Sequence, residues 1–198
     1  MIAPLTHRLV TILAFVLAAA APSRAADMFR LDQRYGTIEF TAQHFGAFAS
    51  HGQFEKFTGL IGVDRTHPEN TTIDIQVDAD SVTIPWQDGA DLLRGPDFFD
   101  AAHHRMIHFT GDRIVGLDPT HFRIVGTLEM RGVSHPLTLD ATLERRWRDD
   151  AKAVEVADFN VRGVLSRADY GMTADPVMIS NSIQLSIMAR VALPIRPR

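Results

Sequence analysis

Apolar side chains occupy every second position in five stretches of this chain, and polar residues fill the positions between them. The stretches are residues 37–43, 73–79, 122–128, 137–143 and 183–189. Successive side chains of a β-strand point to opposite faces, so this alternation predicts strands with one apolar and one solvated face. The pattern is typical of antiparallel sheets, because strands buried on both faces are continuously apolar. Further strands are expected near residues 51–64, 105–111 and 153–167.

One region interrupts this alternation. Residues 88–95 and 96–101 predict two short helical turns, with Asp88 and Asp97 as candidate N-caps. About eight strands that share a single apolar face favour a sheet that closes on itself, because closure removes exposed edges. The sequence therefore predicts an all-β fold, a single eight-stranded antiparallel barrel with a short helical insertion. A β-sandwich is the competing architecture.

The first 25 residues have the three-part layout of a secretory signal peptide. A short start that carries Arg8 precedes an apolar run from Leu9 to Ala21, and Ser23-Arg24-Ala25 fits the cleavage pattern. The run of about 13 residues is shorter than the roughly 20 that span a bilayer, which disfavours a membrane anchor or a buried helix. We expect cleavage after Ala25, export, and one domain over residues 26–198.

Composition and charge exclude several classes of function. The formal net charge is −4 and the chain has no long basic run, so nucleic-acid binding is not expected. The chain has no cysteine, which excludes disulfides, thiolate metal sites and cysteine nucleophiles. No later segment is long and apolar enough for stable membrane insertion. The oligomeric state stays open, a homodimer included.

Candidate catalytic and metal-binding groups are sparse. His103, His104 and His108 form the one local histidine cluster, but side chains that alternate on a strand point apart, so no metal site is expected. The chain contains no nucleophile-elbow or phosphate-cradling motif. The sequence therefore predicts no catalytic residues, no required cofactor and no enzymatic activity.

The apolar faces of the strands predict the wall of an interior space. Small barrels are either filled by side chains or hold one ligand, and a wall with few hydrogen-bonding groups suits a mostly apolar guest. The residues expected to bind such a guest are Ile38, Phe40, Ile73, Ile75, Val77, Phe98, Phe99, Ile107, Phe109, Phe122, Ile124, Leu128, Leu139, Phe159, Val161, Arg167, Ile183, Leu185 and Ile187.

Three of these residues have two open roles. Arg167 has inward parity, and a buried arginine needs partners. It pairs with Asp169 or backbone carbonyls, which we favour, or it contacts a ligand head group. Phe98 and Phe99 either seal the core beneath the insertion or line the entrance to the interior; the two roles are compatible.

Several motifs, in order and spacing, resemble the YceI family of bacterial periplasmic lipocalin-like proteins over nearly all of the chain after residue 25. They are Phe29-Arg30-Leu31-Asp32, Ile38-Glu39-Phe40, the stretch 52–59, Pro96-Asp97-Phe98-Phe99-Asp100, Ile107-His108-Phe109, the stretch 126–137, and Arg167-Ala168-Asp169-Tyr170-Gly171-Met172. The family usually has an Arg-Asp-x-His-Leu stretch where residues 89–93 stand here, and often a His-Ser pair at Tyr35-Gly36. We therefore expect the mouth of the barrel to close differently.

The resemblance implies a lipocalin-like barrel in the periplasm that encloses a polyisoprenoid chain, such as a polyprenyl or quinone-like lipid. The leading hypothesis is a periplasmic binding or carrier protein for this lipid. Two alternatives remain: an enzyme that acts on an isoprenoid lipid, and a fully packed barrel that acts as an interaction or stress protein.

Overall fold

A computed structural model describes residues 27–31, 33–64, 67–86 and 88–195, and these residues form an all-β structure. The predicted signal peptide lies outside the described residues. The strands are β1 (Asp27–Arg30), β2 (Thr37–His44), β3 (Phe48–Phe54), β4 (Phe57–Val63), β5 (Thr72–Asp78), β6 (Val82–Thr83), β7 (Met106–Gly116), β8 (His121–Met130), β9 (Val133–Asp149), β10 (Val154–Ser166) and β11 (Ile179–Pro194). One α-helix, α1 (Gly89–Arg94), and short 3₁₀ helices at 33–35, 68–70, 79–81 and 167–170 connect them.

All strands pair antiparallel in one sheet of order β1-β4-β5-β7-β8-β9-β10-β11-β2-β3-β6. Each predicted strand region lies in a strand, but the expected number of eight is wrong, since the described residues form 11 strands. The short strands β1 and β6 add to the two edges of the sheet. The predicted strand at 51–64 is divided into β3 and β4 at Glu55 and Lys56.

The sheet is curled, so that the strands near one edge, β1 and β4, approach the strands near the other edge, β3 and β6. β3 and β4 lie near opposite edges, yet only Glu55 and Lys56 separate them along the chain. Phe57 of β4 lies against Gly36, and a β-carbon at Gly36 would be 3.2 Å from both the Phe57 ring and the Met188 carbonyl oxygen of β11. The result is a barrel-like sheet with one concave inner face.

Two register shifts change which residues face inward. In β7 the pairing with β8 shifts between Gly111 and Arg113, so Ile114 rather than Arg113 continues the inner row. Between β9 and β10 the shift lies at Asp158 and Phe159. One extra residue in a β-bulge reverses the facing of every later side chain in that strand.

The connections between strands divide between two ends of the sheet. Among the described residues, the α1 end contains 45–47, 79–86, 88–105, 131–132 and 167–178, and the opposite end contains 64, 67–71, 117–120 and 150–153. At the α1 end, Arg131 and Gly132 both have positive φ, 55° and 72°, as a two-residue hairpin turn requires.

The helical insertion covers part of the α1 end and is held there by arginines. Arg94 donates to the carbonyl oxygens of Asp80 at 2.8 Å and Val82 at 3.0 Å. Arg131 donates to the Pro96 carbonyl oxygen at 2.8 Å and also to that of Phe98. Asp88 occupies the N-cap position but makes no side-chain cap hydrogen bond. The second predicted helical turn, with Asp97 as cap, is a turn rather than a helix.

Aromatic rings fill part of the space under this insertion. Phe40, Phe54 and Phe99 form a cluster with ring centroids 5.2–5.9 Å apart. The Phe40 ring lies directly over Gly52, where any β-carbon would collide with it. Glycine at this position therefore lets the Phe40 ring of β2 approach the backbone of β3 closely.

Candidate functional site

The curled sheet encloses an apolar cavity of about 480 Å³. Every residue that the sequence predicted for the interior lies on its wall: Ile38, Phe40, Ile73, Ile75, Val77, Phe98, Phe99, Ile107, Phe109, Phe122, Ile124, Leu128, Leu139, Phe159, Val161, Arg167, Ile183, Leu185 and Ile187. Strand alternation places most of them there, whereas Phe98 and Phe99 lie in a turn of the insertion and Arg167 lies in a 3₁₀ helix. Their contact with a ligand stays a prediction.

Strand alternation did not identify other residues on the wall. They include Leu31 before β2, Ile84, Trp86, Leu92 and Leu93 of the insertion, Ile114 after the register shift in β7, and Met172 and Ile179 near the start of β11. The motif around 29–32 and the apolar pair Leu92-Leu93 are signals that could have indicated some of them.

Four of the described wall residues are polar: His44, Ser50, Thr71 and Arg167. Arg167 is the one charged residue among them and is 4% exposed. Burial lowers the pKa of Arg167 from its ordinary value. A buried guanidinium is tolerated only when its donors are satisfied, so its partners determine its role.

Backbone carbonyls satisfy Arg167. Its Nη1 donates to the Met172 carbonyl oxygen at 2.7 Å, its Nη2 to that of Ile179 at 3.0 Å, and its Nε to that of Ser180 at 3.1 Å. The expected alternative, an ion pair with Asp169, is wrong: Asp169 accepts a hydrogen bond from the Ser166 hydroxyl at 2.7 Å. Arg167 thus links the connection 167–178 to the start of β11 by hydrogen bonds.

The motif 167–172, which begins at this arginine, forms a compact turn. Residues Arg167–Tyr170 form a 3₁₀ helix, and Gly171 ends it with φ 77°. Tyr170 is buried against the edge of His135, with ring centroids 5.3 Å apart. Burial raises the pKa of the Tyr170 hydroxyl, and the negative charge of the nearby Asp169 raises it further. The turn is therefore packed into the rim through Tyr170.

Phe98 and Phe99 combine the two roles that the sequence left open. Both are buried, and both line the cavity beneath the insertion. Phe99 packs into the aromatic cluster, whereas the Phe98 carbonyl oxygen receives the Arg131 guanidinium. Trp86 and Leu92 line the cavity while remaining 48% and 49% exposed, so the rim at this end is apolar.

Two histidines of the cluster contact two different carboxylates. His103 Nδ1 lies 2.8 Å from an Asp100 carboxylate oxygen, and His108 Nε2 lies 3.3 Å from Asp74. The nearby His103 lowers the pKa of Asp100, chiefly through this hydrogen bond. The described residues contain no group of three or more histidine, aspartate or glutamate side chains arranged to hold a metal ion. Within the same residues, no helix combines the length and apolar character of a membrane-spanning segment.

An antiparallel sheet curled around an internal apolar cavity defines the class: all-β proteins with a hydrophobic interior space. Within that class, the chain belongs to the YceI-like domain family, whose model matches residues 29–191.

Similar proteins extend this assignment. A UPF0312 protein of Pectobacterium atrosepticum is 27% identical over 185 residues, which cover 92% of this chain and 95% of the relative. The crystal structure of BcnA of Burkholderia cenocepacia matches with a TM-score of 0.72 at 16% identity, covering 81% of this chain and 99% of that one. A polyisoprenoid-binding domain from Saccharophagus degradans matches with a TM-score of 0.57 at 14% identity, covering 85% and 99%. At these identities, the two structures show the shared fold.

Proposed function

We propose that this protein binds one long apolar isoprenoid lipid inside a closed β-barrel. The observation that carries the proposal is the wall of the cavity, in which all but four of the described lining residues are apolar. Such a surface offers few hydrogen-bond partners, so a ligand rich in polar groups would lose its hydration without compensation. A hydrocarbon chain gains roughly 25 cal/mol for each Å² of its buried apolar surface, before association costs.

The shape of the site also supports a chain-like ligand. Wall residues run from His44 and Ile179 at the α1 end to Leu193 near the far end of β11. The volume of about 480 Å³ falls in the range of roughly 300–1,000 Å³ that is typical of small-molecule sites. The fold shared with a domain that binds polyisoprenoids makes a polyprenyl or quinone-like lipid the preferred class.

The proposed role is storage or transport of this lipid in the periplasm rather than chemistry on it. The sequence of residues 1–25 predicts export. The charged group on the described wall, Arg167, uses its donors on three carbonyl oxygens. It therefore supports the fold rather than providing a reactive group beside the ligand.

A pair of variants on β11 tests the binding site. Ala189 lines the cavity, whereas Ala192 is exposed outside it. We expect Ala189→Trp to fill part of the cavity and weaken binding of a polyprenyl quinone by about tenfold or more, since buried apolar contact is lost. Ala192→Trp should bind like the parent. Native mass spectrometry of protein from a periplasmic extract measures the bound lipid, and its intact mass tests for Ala26 at the N-terminus.

Two outcomes contradict the proposal. One is a parent protein that neither purifies with an isoprenoid nor takes one up from solution. The other is equal binding by both tryptophan variants, which would place the ligand outside the cavity. Circular dichroism of each variant establishes that the fold is intact before binding is compared.

A further inference from the structure

The α1 end of the sheet presents large apolar side chains to solvent. Phe45 is 64% exposed, Phe48 70%, Val177 87% and Met178 46%. We call these four residues the apolar tip. Single exposed apolar residues are common, but a group of large ones on adjoining turns marks an interaction surface.

The apolar tip is one continuous surface that adjoins the cavity. The Phe45 backbone N–H donates to the Met178 carbonyl oxygen at 3.1 Å, so the two turns that carry the tip are hydrogen-bonded to each other. His44 and Ile179, the chain neighbours of Phe45 and Met178, pair across β2 and β11, and both line the cavity. The tip therefore adjoins the cavity wall directly, at His44 and Ile179.

Formal charge is missing from the strands behind the tip. The segments 40–54 and 176–189 contain no Asp, Glu, Lys or Arg. They form β3 with most of β2 and β11, which are neighbours in the sheet. The nearest charge on the connection that carries Val177 and Met178 is the exposed Asp175, which comes directly before this uncharged segment. An uncharged surface can enter a low-dielectric layer without the cost of burying ions.

We propose that the apolar tip inserts into the interfacial layer of a phospholipid bilayer, so that the cavity exchanges its lipid at the membrane surface. The tip projects on turns and has no charge pattern for a protein partner to match, whereas a bilayer accepts apolar side chains without complementary shape or charge. The bilayer is also the phase in which an isoprenoid lipid resides. The exchange step rests on the proposed function; docking of the tip does not.

Flotation with phosphatidylcholine vesicles tests the docking. The variant Phe45→Ser/Phe48→Ser removes both rings, and Leu117→Ser is the matched control, because Leu117 is 53% exposed on a turn at the opposite end. We expect the parent and the Leu117 variant to float with the vesicles. The partition coefficient of the tip variant should be lower than that of the parent by about tenfold or more. Binding should persist at high salt, since no ion pair contributes to it.

Each other outcome overturns the inference. A parent protein that does not float lacks membrane affinity, and equal loss in the Leu117 variant means that binding is not located at the tip. Tip-dependent self-association, measured by sedimentation, would mean that a second copy covers the tip. Isoprenoid uptake without vesicles is measured separately: the tip variant should retain it, so failure of lipid binding and failure of docking are distinguished. All samples need the same N-terminus by intact mass.

Discussion

The inner and outer faces of the sheet hold their arginines in different ways. On the inner face, Arg167 is buried and donates its three described hydrogen bonds to backbone carbonyl oxygens. On the outer face, Arg190 and Arg145 both bind Asp158, with nitrogen–oxygen distances of 2.6–3.0 Å. The first arrangement depends on backbone geometry, whereas the second is an ion-pair network that solvent reaches.

Aromatic rings make the outer network more than a simple ion pair. The Arg190 guanidinium lies 4.4 Å from the Tyr35 ring centroid and 5.0 Å from that of Trp147. Arg145 lies 4.3 Å from the Trp147 ring. These contacts attach the 3₁₀ helix at 33–35 to the outer face, and they would survive neutralisation of Asp158. The comparison therefore predicts that substitutions on the inner face lower the free energy of unfolding strongly. Substitutions on the outer face should lower it less, because several contacts share the same role there.

The largest effect is expected for charge introduced on the inner face. Leu185 lines the cavity, while its neighbour Gln184 is exposed on the outside of β11. We expect Leu185→Asp to cost about 3 kcal/mol of unfolding free energy and to abolish lipid retention, because a carboxylate without partners enters an apolar wall. Urea unfolding and lipid extraction measure the two effects.

Gln184→Asp is the matched control for this substitution, since it adds the same group one residue away. It should change the free energy of unfolding by less than about 0.5 kcal/mol. Equal effects of the two aspartates would mean that β11 does not separate an apolar inner face from a solvated outer one.

A smaller effect is expected for removal of the inner arginine. Arg167→Met keeps much of the side-chain stem but leaves the carbonyl oxygens of Met172, Ile179 and Ser180 without this donor. We expect a loss of about 2 kcal/mol. Lipid content of the surviving folded protein should stay near that of the parent, and the loss should depend little on salt.

Arg162→Met is the control for this prediction, because Arg162 is exposed on β10, the strand that ends just before Arg167, and its Nε donates to the side chain of Asn160. Its melting temperature should stay close to that of the parent. If Arg167→Met melts like the parent yet purifies without lipid, then Arg167 holds the ligand, and the structural role assigned to it is wrong.

The sequence predicted the inner face well wherever strands were regular. Ile183, Leu185 and Ile187 follow from alternation alone, since the period of two holds without interruption from Ile183 to Leu193. The same rule fails after a register shift. Continued past Leu143, it would place Arg145 and Trp147 inside, whereas they pair with Asp158 and Val156 on the outer face. A bulge leaves no mark in the hydrophobic pattern of one sequence.

The sequence also could not predict contacts made by residues in the connections between strands. The parity of Arg167 predicted its burial, but its acceptors belong to residues 172–180, whose path depends on packing against the rim. Trp86 and Leu92 reach the cavity from an insertion that has no strand period. The count of eight strands failed for two reasons: sequence alternation does not reveal the two-residue break at Glu55 and Lys56, and the edge strands β1 and β6 are too short to show a period.

The smallest effect is expected on the outer face, at Asp158. Hydrogen bonding from Arg190, and then from Arg145, holds the pKa of Asp158 below its ordinary value against the opposing effect of burial. A carboxyl whose pKa is lower in the folded state adds stability above its unfolded pKa, near 4, and loses it as the pH falls through the folded pKa. We therefore expect Asp158→Asn to cost about 1 kcal/mol or less at pH 7, measured by urea unfolding.

The pH dependence separates an ion-pair effect at Asp158 from a packing effect. As the pH falls from about 4 through the lower folded pKa of Asp158, the parent loses the contribution of this carboxylate, so the difference between parent and Asp158→Asn should shrink toward zero. High salt should reduce it as well. Asp140→Asn is the control, because Asp140 is more exposed and receives a single hydrogen bond, from Arg123 at 2.9 Å; its cost should be smaller at every pH. A loss at Asp158 that is as large as that at Arg167, and constant with pH, would remove the distinction between the two faces, because it would mean that the outer network also holds the backbone rather than a screened pair of charges.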